Sequence, residues 1–86
     1  MENFPYSLTD HAVQRISERK ISLTWIHQVL SNPEKTELHP EDPQLRYACG
    51  TIPEYGNRVL RVVYNETVSP WRIVSVYFDR KLKGKL

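Results

Sequence analysis

Apolar residues change their spacing once along this chain, near Pro33. Before that residue they recur every three or four positions, the period of a helix with one buried face; an example is the stripe Leu8, Ala12 and Ile16. This stripe predicts a first helix from roughly Leu8 to Lys20, and Ser7 is a suitable N-terminal cap for it.

A second helix is predicted from about Leu23 to Ser31. Ser22 caps its start, and Asn32-Pro33 ends it, because proline cannot continue a helix and restricts the residue before it. The interruption at Lys20-Ile21-Ser22 therefore separates two short antiparallel helices.

After Pro33 the apolar residues alternate with polar ones or run together in β-branched stretches, which predicts strands. The predicted strands are Lys35 to Leu38, Leu45 to Ile52, Arg58 to Asn65 and Trp71 to Asp79. Helices followed by strands are typical of the α+β class, so we expect two N-terminal helices packed on a three- to four-stranded antiparallel sheet. Residues 1–86 are expected to form a single domain, with 81–86 as a basic tail.

The composition is that of an ordinary globular protein, with 40% hydrophobic and 26% charged residues among 86. Cys49 is the only cysteine, which excludes an internal disulfide and a thiolate metal cluster, and no spacing indicates a metal or any other cofactor. No apolar run approaches the roughly 20 residues of a membrane helix. The N-terminus lacks the pattern of a secretion signal. We therefore expect a cytoplasmic protein with no membrane partner.

Charge is distributed unevenly although the formal net charge is only +2. From Tyr55 to the end there are seven basic and two acidic residues, whereas the stretch from Glu37 to Glu54 is acidic. This bias favours an anionic partner such as RNA. A solubilising surface with a frayed tail is the alternative interpretation.

The first predicted helix carries His11, Arg15 and Arg19 at intervals of four, which places them on one face. Histidine transfers protons near neutral pH, and the arginine fork matches phosphate oxygens. The face is therefore a candidate phosphate site with a titratable end. Neighbouring carboxylates such as Asp10 and Glu18 are the alternative partners of these cations.

Arg46, Arg61 and Tyr77 lie inside otherwise apolar strands. Alternation places Arg61 on the same face as Val59 and Val63, where an arginine is costly unless its head reaches water or an anion. The alternatives are that Arg61 extends into solvent or pairs with Glu37 or Glu66. By the same alternation, Tyr77 shares its face with Ile73 and Ser75.

The helix motif His11-Ala12-x-x-Arg15-Ile16-x-x-Arg19-x-Ile21-Ser22, followed by Leu30-x-Asn32-Pro33-Glu34, resembles a widespread prokaryotic family of domains of unknown function. Arg46-Tyr47, Leu60-Arg61-Val62-Val63 and Val74-x-Val76-Tyr77 extend the resemblance over roughly Leu8 to Arg80. That family is grouped by fold with toxin-like ribonucleases of the RelE, ParE and BrnT kind. The chain departs from its relatives at Ser75, where threonine is common, and in having no dense basic cluster before its tail.

The resemblance implies a RelE-like, metal-independent endoribonuclease, the toxin of a toxin–antitoxin pair, with RNA as substrate and an antitoxin protein as partner. His11 and Tyr77 would then be the catalytic groups, and the RNA phosphate would be held by Arg15, Arg19, Arg46 and Arg61. The alternative hypothesis is a small non-catalytic module that binds protein or RNA.

Overall fold

The computed structural model describes residues 4–85 and has an α+β fold in which two helices precede most of a five-stranded sheet. Residues 1–3 and 86, at the two ends of the predicted domain, lie outside the described part. The helices are α1 (Asp10–Arg19) and α2 (Leu23–Ser31). The strands are β1 (Ser7–Leu8), β2 (Lys35–Leu38), β3 (Leu45–Ile52), β4 (Arg58–Asn65) and β5 (Arg72–Phe78). Two short 3-10 turns follow β3 and β5, at Pro53–Tyr55 and Arg80–Leu82.

Helix α1 begins two residues later than the apolar stripe predicts, and its cap is Thr9 rather than Ser7. The Thr9 hydroxyl accepts from the Ala12 amide at 3.1 Å and donates to the Val74 carbonyl at 3.0 Å, so it caps the helix and ties it to β5. The helix ends at Arg19 because Lys20 adopts the left-handed conformation with φ 54°.

Helix α2 has the predicted bounds. The Ser22 hydroxyl accepts from the Thr24 amide at 3.1 Å, as expected of an N-cap. Strands β2, β3 and β4 also have the predicted bounds, and β5 is one residue shorter at each end than predicted.

The sheet has five strands in the order β1-β5-β4-β3-β2, so the prediction of a three- to four-stranded, purely antiparallel sheet is wrong. The additional strand is β1, which pairs in parallel with β5 at Ser7 and Leu8. The Ser7 amide donates to the Trp71 carbonyl at 2.8 Å, and the Thr9 amide donates to the Ile73 carbonyl at 3.0 Å. These long-range backbone bonds hold Leu8, the predicted first residue of the helix, and Ser7, its predicted cap, in a strand instead.

Both helices pack on the same face of the sheet and enclose the core there. The fully buried side chains of this core include Ala12, Ile26, Leu60, Val62, Ile73 and Val76. Gly50 marks the close approach of α2 to β3, because a Cβ at this position would lie 3.0 Å from a Val29 methyl group. Neither helix between residues 4 and 85 is long and apolar enough to cross a membrane.

A bulge in β5 changes which of its residues share a face. Val63 pairs with Ser75 but Tyr64 pairs with Ile73, so Val74 is an extra residue in β5. Simple alternation was therefore wrong in placing Ile73 beside Tyr77. Ile73 is buried in the core beneath the helices, whereas Ser75 and Tyr77 lie on the opposite face, which we call the open face.

Candidate functional site

Arg61 occupies the middle of the open face, between Cys49 of β3 and Tyr77 of β5 in the strand ladder. Its guanidinium carbon lies 4.6 Å from the centroid of the Tyr47 ring, and one terminal nitrogen lies 3.2 Å from the Asp79 carboxylate. The Arg61 side chain is only 13% exposed. Its charge is therefore already compensated by an aromatic ring and a carboxylate of the same chain.

The ion-pair partner of Arg61 is Asp79 and not Glu37 or Glu66, the two carboxylates proposed from the sequence. Asp79 follows β5 directly, and its amide donates to the Val59 carbonyl at 2.9 Å, which brings it alongside the start of β4. Glu66 pairs instead with Arg46, and Glu37 with Lys35.

The pKa values of two groups beside Arg61, the Cys49 thiol and the Tyr77 hydroxyl, are raised. Burial raises the pKa of the Cys49 thiol, and the Arg61 charge offsets this only in part. Burial likewise raises the pKa of the Tyr77 hydroxyl, again with Arg61 acting in the opposite direction. Both groups therefore stay protonated at neutral pH, so Tyr77 is available there as a hydrogen-bond donor but not as a base.

Arg46 lies on the other side of the sheet from Arg61. It pairs with Tyr64 in the ladder, on the face covered by the helices, and its Nε lies 2.7 Å from the Glu66 carboxylate. Arg46 and Arg61 therefore do not converge on one phosphate.

The predicted ladder on α1 is present, and Glu18 contacts one of its members. His11 and Arg19 are exposed, and Arg15 lies 3.9 Å from the Glu18 carboxylate one turn further along the helix. A pair this exposed adds little stability. Each strand-borne arginine is instead paired with a carboxylate, Arg46 with Glu66 and Arg61 with Asp79.

A second group of cations surrounds a cleft of about 340 Å³ at the end of the sheet where β4 begins and β5 ends. We call it the basic cleft. Its lining comprises Arg19, Arg58, Arg80 and Lys83, together with Asp79 and the rings of Tyr55 and Phe78.

Three separate segments bring these cations together. Arg19 is the last residue of α1, Arg58 is the first residue of β4, and Arg80 and Lys83 belong to the 3-10 turn after β5 and the residue that follows it. All four are exposed, and within residues 4–85 none of them forms an ion pair with a carboxylate.

Among residues 4–85, Asp79 is the only carboxylate lining the basic cleft, and both of its oxygens are engaged elsewhere. One oxygen accepts from the Lys81 amide at 3.0 Å and caps the turn, and the other contacts Arg61. The positive charge of the cleft is therefore largely uncompensated.

The sequence identified only part of this cleft. Arg19 is the one predicted phosphate-binding residue that lines it. Arg58, Arg80 and Lys83 contribute to the excess of basic residues after Tyr55. That excess was evident from the composition, but the sequence did not show where in the fold these residues would meet. Of the other predicted site residues, Arg61 and Tyr77 share the open face, and Arg46 lies on the helix-covered face.

Comparison with known proteins places the chain in one family. The family model described as "Domain of unknown function (DUF4258)" matches residues 8–78, a segment that includes both helices and ends with β5. Arg19, Tyr55 and Arg58 of the basic cleft fall within the matched segment, and Arg80 and Lys83 lie beyond it. No curated protein and no solved structure matches the chain. The chain therefore belongs to the DUF4258 family.

Proposed function

We propose that this protein is a non-catalytic RNA-binding module that holds RNA phosphates in the basic cleft. The observation that carries the proposal is the convergence of four exposed cations around one cleft, where the single carboxylate that residues 4–85 contribute, Asp79, is engaged with Arg61 and Lys81.

Cations gathered without counter-charges repel one another, and an anion placed among them relieves that repulsion. Three of the four are arginines, Arg19, Arg58 and Arg80, whose planar forks match the oxygens of a phosphate group. The volume of about 340 Å³ lies within the range of sites that hold small ligands, so it accommodates a nucleotide-sized portion of a larger chain. The grouping by fold of the resembled family with toxin-like ribonucleases favours RNA among phosphate-bearing partners.

Cleavage of RNA, the other sequence-based hypothesis, has less support. It requires His11, Tyr77 and the strand arginines to surround a single phosphate, with contacts of hydrogen-bond length. Arg46 and Arg61 lie on opposite faces and are each paired with a carboxylate, so they do not surround one phosphate. Binding without cleavage is the function that this arrangement supports better. An antitoxin partner and a RelE-like evolutionary relationship stay predictions of the sequence resemblance.

Reversing two charges of the basic cleft tests the proposal. In the variant Arg58→Glu with Arg80→Glu, we expect the affinity for a short fluorescent RNA to fall at least about tenfold, because two phosphate contacts become repulsive. The slope of log affinity against log salt concentration should become shallower by about two, one for each lost contact. Fluorescence anisotropy over a series of salt concentrations measures both quantities.

The matched control is Lys35→Glu with Arg72→Glu, which makes the same change in net charge at exposed positions outside the cleft. Lys35 begins the edge strand β2, and Arg72 begins β5 at the end opposite the cleft. Equal losses in both double variants would mean that overall charge, not the cleft, governs binding. Cleavage of the RNA by the parent protein, abolished in His11→Ala, would show that the module is catalytic.

A further inference from the structure

We infer that the basic cleft selects single-stranded RNA, because the guanidinium of Arg58 presents a plane on which one unpaired base stacks. This inference rests on the proposed function and identifies the class of RNA. It makes Arg58 the base-stacking residue and Tyr55 the residue that positions it.

The first observation is the contact between Arg58 and Tyr55. The guanidinium carbon of Arg58 lies over the Tyr55 ring, 4.7 Å from its centroid. This contact holds the guanidinium of an otherwise flexible side chain against the ring, so less conformational freedom is lost when a ligand stacks on it.

The second observation is the support beneath Tyr55. Its ring centroid lies 5.0 Å from that of Phe78 and 5.3 Å from that of Trp25, and the centroids of Trp25 and Phe78 are 6.1 Å apart. These three rings come from β5, α2 and the turn after β3, so they tie that turn to the fold. Tyr55 is itself 39% exposed, at the lip of the cleft.

The third observation is the chemical character of the cleft. A site for a bare phosphate needs only cations, whereas this cleft places aromatic rings and a stacked guanidinium among Arg19, Arg80 and Lys83. Unpaired bases stack on aromatic side chains and on arginine planes, whereas bases within a duplex are stacked on each other and present mainly backbone and groove edges. The combination of a plane and phosphate-binding cations therefore favours a single strand over a duplex.

The conservative variant Arg58→Lys separates stacking from charge, because lysine keeps the positive charge and removes the plane. We expect it to lower the affinity for a short single-stranded RNA by about fivefold or more, the effect of losing one base stack. The affinity for a duplex of the same length should change by less than about twofold, because its phosphates meet the same number of charges. Arg72→Lys, at the exposed start of β5 outside the cleft, is the matched control and should leave both affinities within about twofold.

Two Tyr55 variants test the positioning role. Tyr55→Leu should reduce single-strand affinity to the level of Arg58→Lys, and Tyr55→Phe, which keeps the ring, should retain the affinity of the parent protein. Adding Arg58→Lys to Tyr55→Leu should then cause little further loss, because the two residues act through one stack. Circular dichroism before and after binding establishes that each variant is folded.

Equal loss of single-strand and duplex affinity in Arg58→Lys, or no loss in either, would overturn the stacking inference. If in that case Arg58→Glu with Arg80→Glu still abolished binding, the proposed RNA-binding function would stand and only the single-strand preference would be rejected. A parent protein that bound neither RNA would reject both.

Discussion

Truncating Leu60 to alanine is expected to lower the free energy of unfolding by about 3 kcal/mol. Leu60 is fully buried on β4 and is among the largest buried side chains of the core beneath the helices. Alanine would remove apolar contacts and leave a cavity that close-packed neighbours fill only in part. Urea unfolding monitored by circular dichroism measures the change, with unfolding midpoints compared at constant slope.

Leu38→Ala is the matched control for this prediction. Leu38 ends the edge strand β2 and is 64% exposed, so the same truncation there should cost less than about 0.5 kcal/mol. Similar losses in the two variants would mean that Leu60 does not lie in the principal core.

Replacing Arg61 with methionine is expected to destabilise the protein by about 2 to 3 kcal/mol, because the substitution leaves the Asp79 carboxylate without its charged partner. The Asp79 side chain is 18% exposed and that of Arg61 is 13% exposed, so the pair is largely shielded from solvent. Changing Asp79 to asparagine in the same chain should recover much of this loss, because an amide oxygen still accepts from the Lys81 amide while the unpaired charge is removed.

The control for this second prediction is Arg46→Met, which breaks an ion pair of similar geometry at a more exposed position. Both Arg46 and Glu66 are more than a third exposed, so solvent screening should limit the loss to about 1 kcal/mol or less. A loss as large as that of Arg61→Met would contradict the distinction between the two pairs. Failure of Asp79→Asn to recover stability would show that the cost of Arg61→Met comes from lost packing against Tyr47.

The elements that the sequence predicted well are those specified by local pattern. Helix α2 begins after a serine cap and ends before a proline, and β4 is a continuous run of β-branched and apolar residues. The residues that predict α2 and β4 lie within each element or directly beside it. Strand β1 has no such signal, because it is held by the carbonyl groups of Trp71 and Ile73, more than 60 positions away, although Leu8 fits the helical stripe.

The candidate site was harder to predict because it depends on register between strands. Arg46 and Arg61 each interrupt an apolar strand in the same way, but the register pairs Arg46 with Tyr64 and Arg61 with Cys49, which separates them onto two faces. The bulge at Val74 likewise depends on how β5 pairs with β4, so the alternation of residues along β5 alone does not predict it.

The basic cleft was also difficult to predict from the sequence. Its cations come from the end of α1, the start of β4 and the turn after β5, so no single stretch contains the site. Composition revealed an excess of positive charge in the second half of the chain. Only the fold brings Arg19 from the first helix to the end of the sheet where that excess lies.

The most direct test of the central claim is to titrate isotopically labelled protein with a short single-stranded RNA and follow its NMR signals. If the basic cleft holds the RNA, the signals of Arg19, Arg58, Arg80 and Lys83 shift together along one saturating curve, while those of Arg46 and Tyr77 stay in place. Shifts concentrated on Arg61 and Tyr77 instead would contradict the assignment and move the RNA site to the open face.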